Sequence, residues 1–333
     1  MALSTAARWR LRMITGVTAQ AGILGALFSG IGAGGTALPA ATVCGALIGL
    51  VLSTAETALP QAARERLRRW PPILPPVLRA VFYAAVFYGA VALVNLAAGP
   101  VITVTPALLA ATLVAAFAFN LFFLFRRLLG PRTLVGLLVG RYNRPQREER
   151  IVLLLDVAGS TGLAEQLGDE RFVAFLNRIF FDLRVAVHDN GADIYRYVGD
   201  EIILTWTLER GLREGACITC LFAVLDTLDR QAPAYRRDFG AVPRLRAALH
   251  AGSLIVAEMG DTRREVVMLG DTMNTAARIE DACRSSGRDC IASATLINRL
   301  ALPPGVRAES LGPMALRGKA ETIELFALTR PLS

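Results

Sequence analysis

Four stretches of apolar sequence crowd the first 125 residues, at about 13–32, 36–59, 77–98 and 102–125, and only Glu56 and Arg79 interrupt them. Each is about 20 residues long or slightly more, the length a helix needs to cross the hydrocarbon of a bilayer. A soluble bundle built from such segments would need polar faces that they lack. Both charged positions lie near segment ends, where a long side chain reaches the interface. The reading is an all-α domain of four transmembrane helices over residues 1–125. The first stretch follows Arg8, Arg10 and Arg12 and so imitates a cleavable leader, but three more spans follow and no clear small-residue cleavage site stands out, which favours a retained anchor.

The arginines orient these spans. They cluster at the amino end, between spans two and three (Arg64, Arg66, Arg68, Arg69) and after span four (Arg126, Arg127, Arg132), whereas the segments around 32–36 and 98–101 carry no charge. The positive-inside rule then puts both termini, and whatever follows the spans, in the cytoplasm of a multi-pass protein of the cell inner membrane. A net charge of +11 in the first 145 residues against +8 for the whole chain leaves −3 for the remainder. The basic character thus belongs to the lipid-facing part, which argues against nucleic acid as a partner. No span holds the several ionisable residues expected of a transport path.

Residues 126–150 read as a connector, a short amphipathic element followed by a solvated, strongly charged link from Arg141 to Arg150. The soluble domain, 151–333, opens on Ile151 to Thr161, IVLLLDVAGST. A short apolar run that ends in polar residues suits a strand covered on both faces. Asp156 falls at its carboxyl end, where α/β sheets place ligands. The backbone N–H groups from Val157 to Thr161, including those of Ser160 and Thr161, would open the next helix and point at whatever the carboxylate holds. An Asp before Gly-Ser-Thr also serves as a helix cap, and this stretch alone leaves both readings open.

A helical pattern runs from Leu163 through His188, interrupted near Gly168, with Phe172, Phe175, Leu176, Ile179, Phe180 and Leu183 in one stripe. Residues 192–206 read as strand, turn and strand about Gly199-Asp200, a hairpin signal that by itself explains Asp200. Were the strand ending at Asp156 to lie beside this hairpin, two carboxylates would meet at one sheet edge, a donor set suited to Mg²⁺ or Mn²⁺ holding nucleotide phosphates. Helix follows over about 211–238, then a strand near 244–250. Glu265 to Arg278 opens a helix on which Asn274 and Arg278, four apart, share a face. An amide and a guanidinium there suit a ribose and a charged phosphorus centre, and equally a solvated helix face.

Cys217 and Cys220 have zinc-like spacing, yet no second pair or nearby histidine completes four ligands, so a helix-core role is expected. His188 and His250 are the only histidines, and His250 reads as packed or hydrogen-bonded rather than as a catalytic base.

The strings LLLDVAGST, RYVGDEI, LGDTMNTAARIE and LRGKAETIELFAL, in this order over about residues 150–328, resemble the class III nucleotidyl cyclases. The resemblance implies a ferredoxin-like βαββαβ α/β catalytic domain that works as a homodimer with sites at the subunit interface. It implies two metal ions, Mg²⁺ or Mn²⁺, on Asp156, Asp200 and the Val157 carbonyl. Asn274 matches the ribose-orienting asparagine, Arg278 the transition-state arginine and Lys319 the triphosphate lysine, the last three serving the other copy's aspartates. The expected activity is ATP to cyclic AMP and pyrophosphate. The base-selecting positions depart from the family's pattern: they hold Arg196 and Val267. Arg196 can donate to adenine N1, Val267 cannot accept from the exocyclic amine, and neither is the acidic residue guanine would require. A guanylate cyclase, and a catalytically inactive nucleotide-binding membrane sensor, stand as alternatives.

Overall fold

The computed structural model describes residues 38–58, 74–99, 141–142, 144–262, 265–315 and 322–330, with isolated positions between 14 and 23 and between 106 and 117. The chain divides into two compact units, residues 1–129 and 130–333.

In the first unit, helix α1 (Leu38–Ala58) packs on helix α2 (Leu74–Ala98) through Cys44, Ala90, Val91 and Val94. Much of α2's apolar surface, including Val77, Leu78, Val81, Phe82, Leu93 and Leu96, points outward. Within α1, the Ser53 hydroxyl donates to the Gly49 carbonyl at 2.6 Å and that of Thr54 to the Leu50 carbonyl at 2.7 Å, which satisfies polar atoms inside an apolar helix. Among the described residues one helix, Val77–Ala97, is long and apolar enough to cross a membrane, and Thr42–Val51 is a shorter apolar run. The four spans expected from sequence are therefore matched in part: those at 13–32 and 102–125 fall largely outside the described residues.

The second unit is built on an eight-stranded sheet of order β2-β3-β1-β4-β6-β8-β7, with β5 paired to β4. In chain order it runs β1 (Gln146–Val157), α3 (Ser160–Leu167), α4 (Asp169–Asp189), β2 (Asp193–Val198), β3 (Glu201–Thr207), α5 (Leu208–Leu212), α6 (Ala216–Phe239), β4 (Leu245–Met259), β5 (Glu265–Leu269), α7 (Asp271–Ser286), β6 (Cys290–Ser293), α8 (Ala294–Ile297), β7 (Arg307–Ala315) and β8 (Thr322–Thr329). The segment β1-α-β2-β3-α6-β4 supplies the expected βαββαβ unit. Gly168, at φ 74°, parts α3 from α4 at the interruption visible in sequence.

Strand β1 is central and covered on both faces, as its unbroken apolar run requires. Ile151, Leu153, Leu155 and Val157 enter a core with Phe175, Ile179 and Leu183 of α4 and Cys217, Ile218, Cys220 and Leu221 of α6. Val152 and Leu154 enter a second core with Ala276, Ile279, Ala282 and Cys283 of α7. Both neighbours, β3 and β4, are antiparallel, so the buried run reflects helices on two faces rather than a parallel sheet. The zinc-like pair Cys217 and Cys220 is core, and burial pushes both thiols up to about 12.

One expectation needs correcting. The charged stretch to Arg150 is not a solvated link throughout, because β1 begins at Gln146 and pairs from there with β4. Tyr142 is already buried, and its carbonyl accepts from the Glu258 amide at 2.9 Å. Arg150 is buried too, where Glu148 neutralises it at 2.7 Å. Ladder pairing with β4 makes this charged stretch a strand end, which sequence polarity does not reveal.

The close approach of α5 to β1 provides a stability test. A Cβ on Gly211 would meet Ile151 Cδ1 at 2.6 Å and Trp206 Cβ at 3.0 Å. Gly211→Ala is expected to cost about 1–3 kcal/mol through overpacking. Thermal denaturation of the purified chain should show a midpoint several degrees lower, and an unchanged midpoint would contradict this packing.

Candidate active site

Asp156 is the penultimate residue of β1, 6% exposed and opposite Arg246 of β4. One residue earlier Leu155 pairs with Ile202, so the start of β3 lies beside it. Asp200 occupies the tight turn just before β3, where Gly199 takes φ 61° and Val198 pairs with Glu201. The register of the sheet thus brings Asp156 and Asp200 into hydrogen-bond contact. Capping does not account for Asp156, because Gly159 precedes α3 as its N-cap and no side chain caps it.

Further groups that sequence reading missed surround this pair. Glu280 of α7 is buried and hydrogen-bonds Asp156. Arg284, one turn on, places Nη2 3.2 Å from Asp156 Oδ2 and 2.9 Å from Glu280 Oε1. Arg246 Nη1 lies 3.8 Å from the same Asp156 oxygen. Glu201 follows Asp200 directly and feels Glu280, Asp156 and Asp200. The only local hint in the sequence is the i, i+4 spacing of Glu280 and Arg284, which is common on any helix surface.

Electrostatics follow from this crowding. Burial first, then the hydrogen bond with Asp200 and the charges of Glu280 and Asp200, raise the Asp156 carboxyl from 3.8 to about 6 against the opposing pull of Arg284. Burial and the same carboxylates raise Glu201 from 4.5 to about 7. Between about pH 4 and 6 the folded chain therefore holds a proton on Asp156 that the unfolded chain has lost. The stability this gives is complete below that window and is lost as pH rises through it. In chelator, Asp156→Asn should accordingly gain thermal stability relative to the natural chain as pH climbs from about 4 to about 6. A constant difference between their melting temperatures would refute the shift.

An oxygen-rich pocket in which neighbouring carboxylates disfavour one another's charge fits a hard divalent cation. No group of three or more His, Cys, Asp or Glu side chains among the described residues is disposed to hold a metal ion, so the side-chain donors reduce to the Asp156–Asp200 pair.

Ser160 opens α3 and Thr161 follows it, but among the backbone amides that precede them Ala158 is spent on the Arg244 carbonyl at 2.8 Å. Asn274 and Arg278 lie on α7, and neither side chain has a hydrogen bond or ion pair among the described residues. Asn274 is exposed and Arg278 half-exposed, whereas Glu280 is buried beside Asp156, so Asn274 and Arg278 lie along a different edge of α7, about 120° on average from Glu280 and Arg284. Lys319 lies outside the described residues. His250 is buried and shares a 2.8 Å hydrogen bond between Nδ1 and the Ser293 hydroxyl.

Arg196 of β2 donates from Nη2 to Glu265 Oε2 at 2.6 Å, and the Met268 amide donates to the Tyr195 hydroxyl at 2.9 Å, so β5 lies against β2. Val267 is two residues from Glu265 and on the same strand face. An acidic side chain, Glu265, thus stands beside Arg196, a neighbour created by folding across 69 residues.

The family model for the Adenylate and Guanylate cyclase catalytic domain matches residues 143–330, more than half of the chain. Adenylate cyclase 2 of Rhizobium meliloti (strain 1021) is 42% identical over 204 residues, 61% of this chain and 56% of that protein. Guanylate cyclase D of Mus musculus is 29% identical over 207 residues, 59% of this chain and 18% of that protein. The chain therefore spans little more than half the length of the first of these relatives and under a fifth of the second. Among solved structures, a bacterial light-regulated adenylyl cyclase aligns with a TM-score of 0.57 at 18% identity, covering 69% of this chain and 66% of that one, a likeness of fold.

Proposed function

Since the chain belongs to the adenylate and guanylate cyclase catalytic-domain family, we propose that it is an integral-membrane adenylate cyclase that converts ATP to 3′,5′-cyclic AMP and pyrophosphate at sites shared by two copies. The reading rests on the convergence of Asp156 and Asp200 at one sheet edge. Four bilayer-spanning helices anchor the enzyme, with both termini and the catalytic domain in the cytoplasm of an inner membrane.

Asp156, Asp200 and the Val157 carbonyl would hold two divalent ions, Mg²⁺ or Mn²⁺, whose charge would activate the ribose 3′-hydroxyl and offset charge on the departing pyrophosphate. A bond forms between the 3′-oxygen and the α-phosphorus as the bond from that phosphorus to the αβ-bridging oxygen breaks, and the hydroxyl proton passes to water. Asn274 of the second copy orients the ribose, and its Arg278 neutralises charge growing on the α-phosphoryl oxygens. Lys319 of that copy binds the triphosphate, and the amides of Ser160 and Thr161 face its phosphates. The turn of about 120° between the Asn274–Arg278 edge of α7 and the Glu280–Arg284 edge beside its own Asp156 supports the shared arrangement.

Arg196 donates to the base at N1 of adenine, and the 42% identity to a protein named adenylate cyclase supports ATP as substrate. One observation favours guanine as a second reading: the Glu265 carboxylate beside Arg196 could accept from the N1–H and amino group of that base. Purified protein given ATP and GTP separately, each with Mg²⁺ and with Mn²⁺, decides between them. Cyclic AMP as the main product is expected, cyclic GMP in excess would reverse the substrate assignment, and nucleotide binding without pyrophosphate release would remove the activity.

A further inference from the structure

We infer that Arg284 competes with the divalent cation for Asp156 and thereby sets the cation affinity of the site; the inference rests on the proposed metal role of that aspartate. The observation is the placement of a guanidinium on a nearly buried carboxylate. Arg284 Nη2 stands 3.2 Å from Asp156 Oδ2. A cation bound to that oxygen would put positive charge within about 4 Å of the guanidinium, where repulsion between like charges is large in a pocket with little water. The lone pairs that Arg284 engages are also those the cation needs.

The two arginines beside Asp156 differ in their freedom to leave. Arg246 is the strand partner of Asp156, its side chain is only 26% exposed, and it stands at 3.8 Å. Arg284 comes from the last turn of α7, and its side chain is 53% exposed. It can swing on its aliphatic stem into solvent at little cost. Glu280, at 2.9 Å on the same helix, is positioned to keep hold of the released head. Arg284 therefore stabilises the metal-free carboxylate cluster and yields when the ion arrives. It is a positioning residue, with no contact to substrate. Loss of its contact should strengthen cation binding by the weight of one partly exposed ion pair, about three- to tenfold.

The test is Mn²⁺ binding to the full chain in detergent without nucleotide, read from the free-ion paramagnetic resonance signal at constant pH. Arg284→Gln is expected to bind Mn²⁺ about three- to tenfold more tightly than the natural chain, while Arg284→Lys, which keeps the charge, stays within about twofold of it. A purely structural role predicts weaker binding, so unchanged or weakened affinity in Arg284→Gln overturns the inference alone. Equal tightening by Gln and Lys overturns charge competition as its cause. Absence of Mn²⁺ binding in every form overturns it together with the metal assignment on which it rests.

Discussion

Replacing Asp156 with Asn is expected to lower cyclase turnover by about a thousandfold or more, the weight of several kcal/mol of charge stabilisation at the reacting phosphoryl group. The amide keeps the shape of the side chain but loses the charge that holds a cation. The same change should not damage the fold. Asp156 is 6% exposed and crowded by Asp200 and Glu280, so the metal-free chain carries its charge at a cost. A turnover assay paired with a melting curve in chelator therefore separates chemistry from folding: activity collapses while the melting temperature at pH 7 holds or rises. Full activity in Asp156→Asn would remove the proposed mechanism.

Arg278→Ala is the second large effect, again about a thousandfold in turnover, as for an arginine that meets transition-state charge on a phosphoryl group. Arg278 has no ion pair among the described residues, so its loss leaves no buried carboxylate unpaired and the dimer should persist. The two variants together test where the sites lie. In a mixed dimer of Asp156→Asn with Arg278→Ala, one site keeps both natural sets and the other loses both. Coexpression should return up to about half of the natural turnover per dimer under the shared-site arrangement. Complete inactivity in dimers proven to contain both chains would sink that arrangement, and activity in Arg278→Ala alone would remove the arginine from the chemistry.

Much of the catalytic unit was readable from local pattern. The apolar run before Asp156 demanded two covered faces, and α4, α6 and α7 supply them. The stripe from Phe172 to Leu183 and the Gly199-Asp200 turn follow from helix and hairpin periodicity. The surroundings of Asp156 were not readable in the same way. Glu280 and Arg284 are 124 and 128 residues further along, and nothing in their own neighbourhood marks them. They arrive because α7 packs across β4, which lies between β1 and β6 in the sheet, and so reaches the end of β1. Arg196 and Glu265, 69 residues apart, meet by the same kind of remote pairing, which no local pattern at either position marks.

Periodicity and composition act through neighbours a few residues apart, so the sequence by itself determined which segments are apolar enough for a bilayer, which bury in a sheet, and where two acidic side chains end or turn a strand. Which charges face those acids depends on strand register and on the path of one helix, and both come from packing the whole domain. Only the tertiary structure therefore decided that Asp156 meets Asp200 and that Arg284 lies upon it.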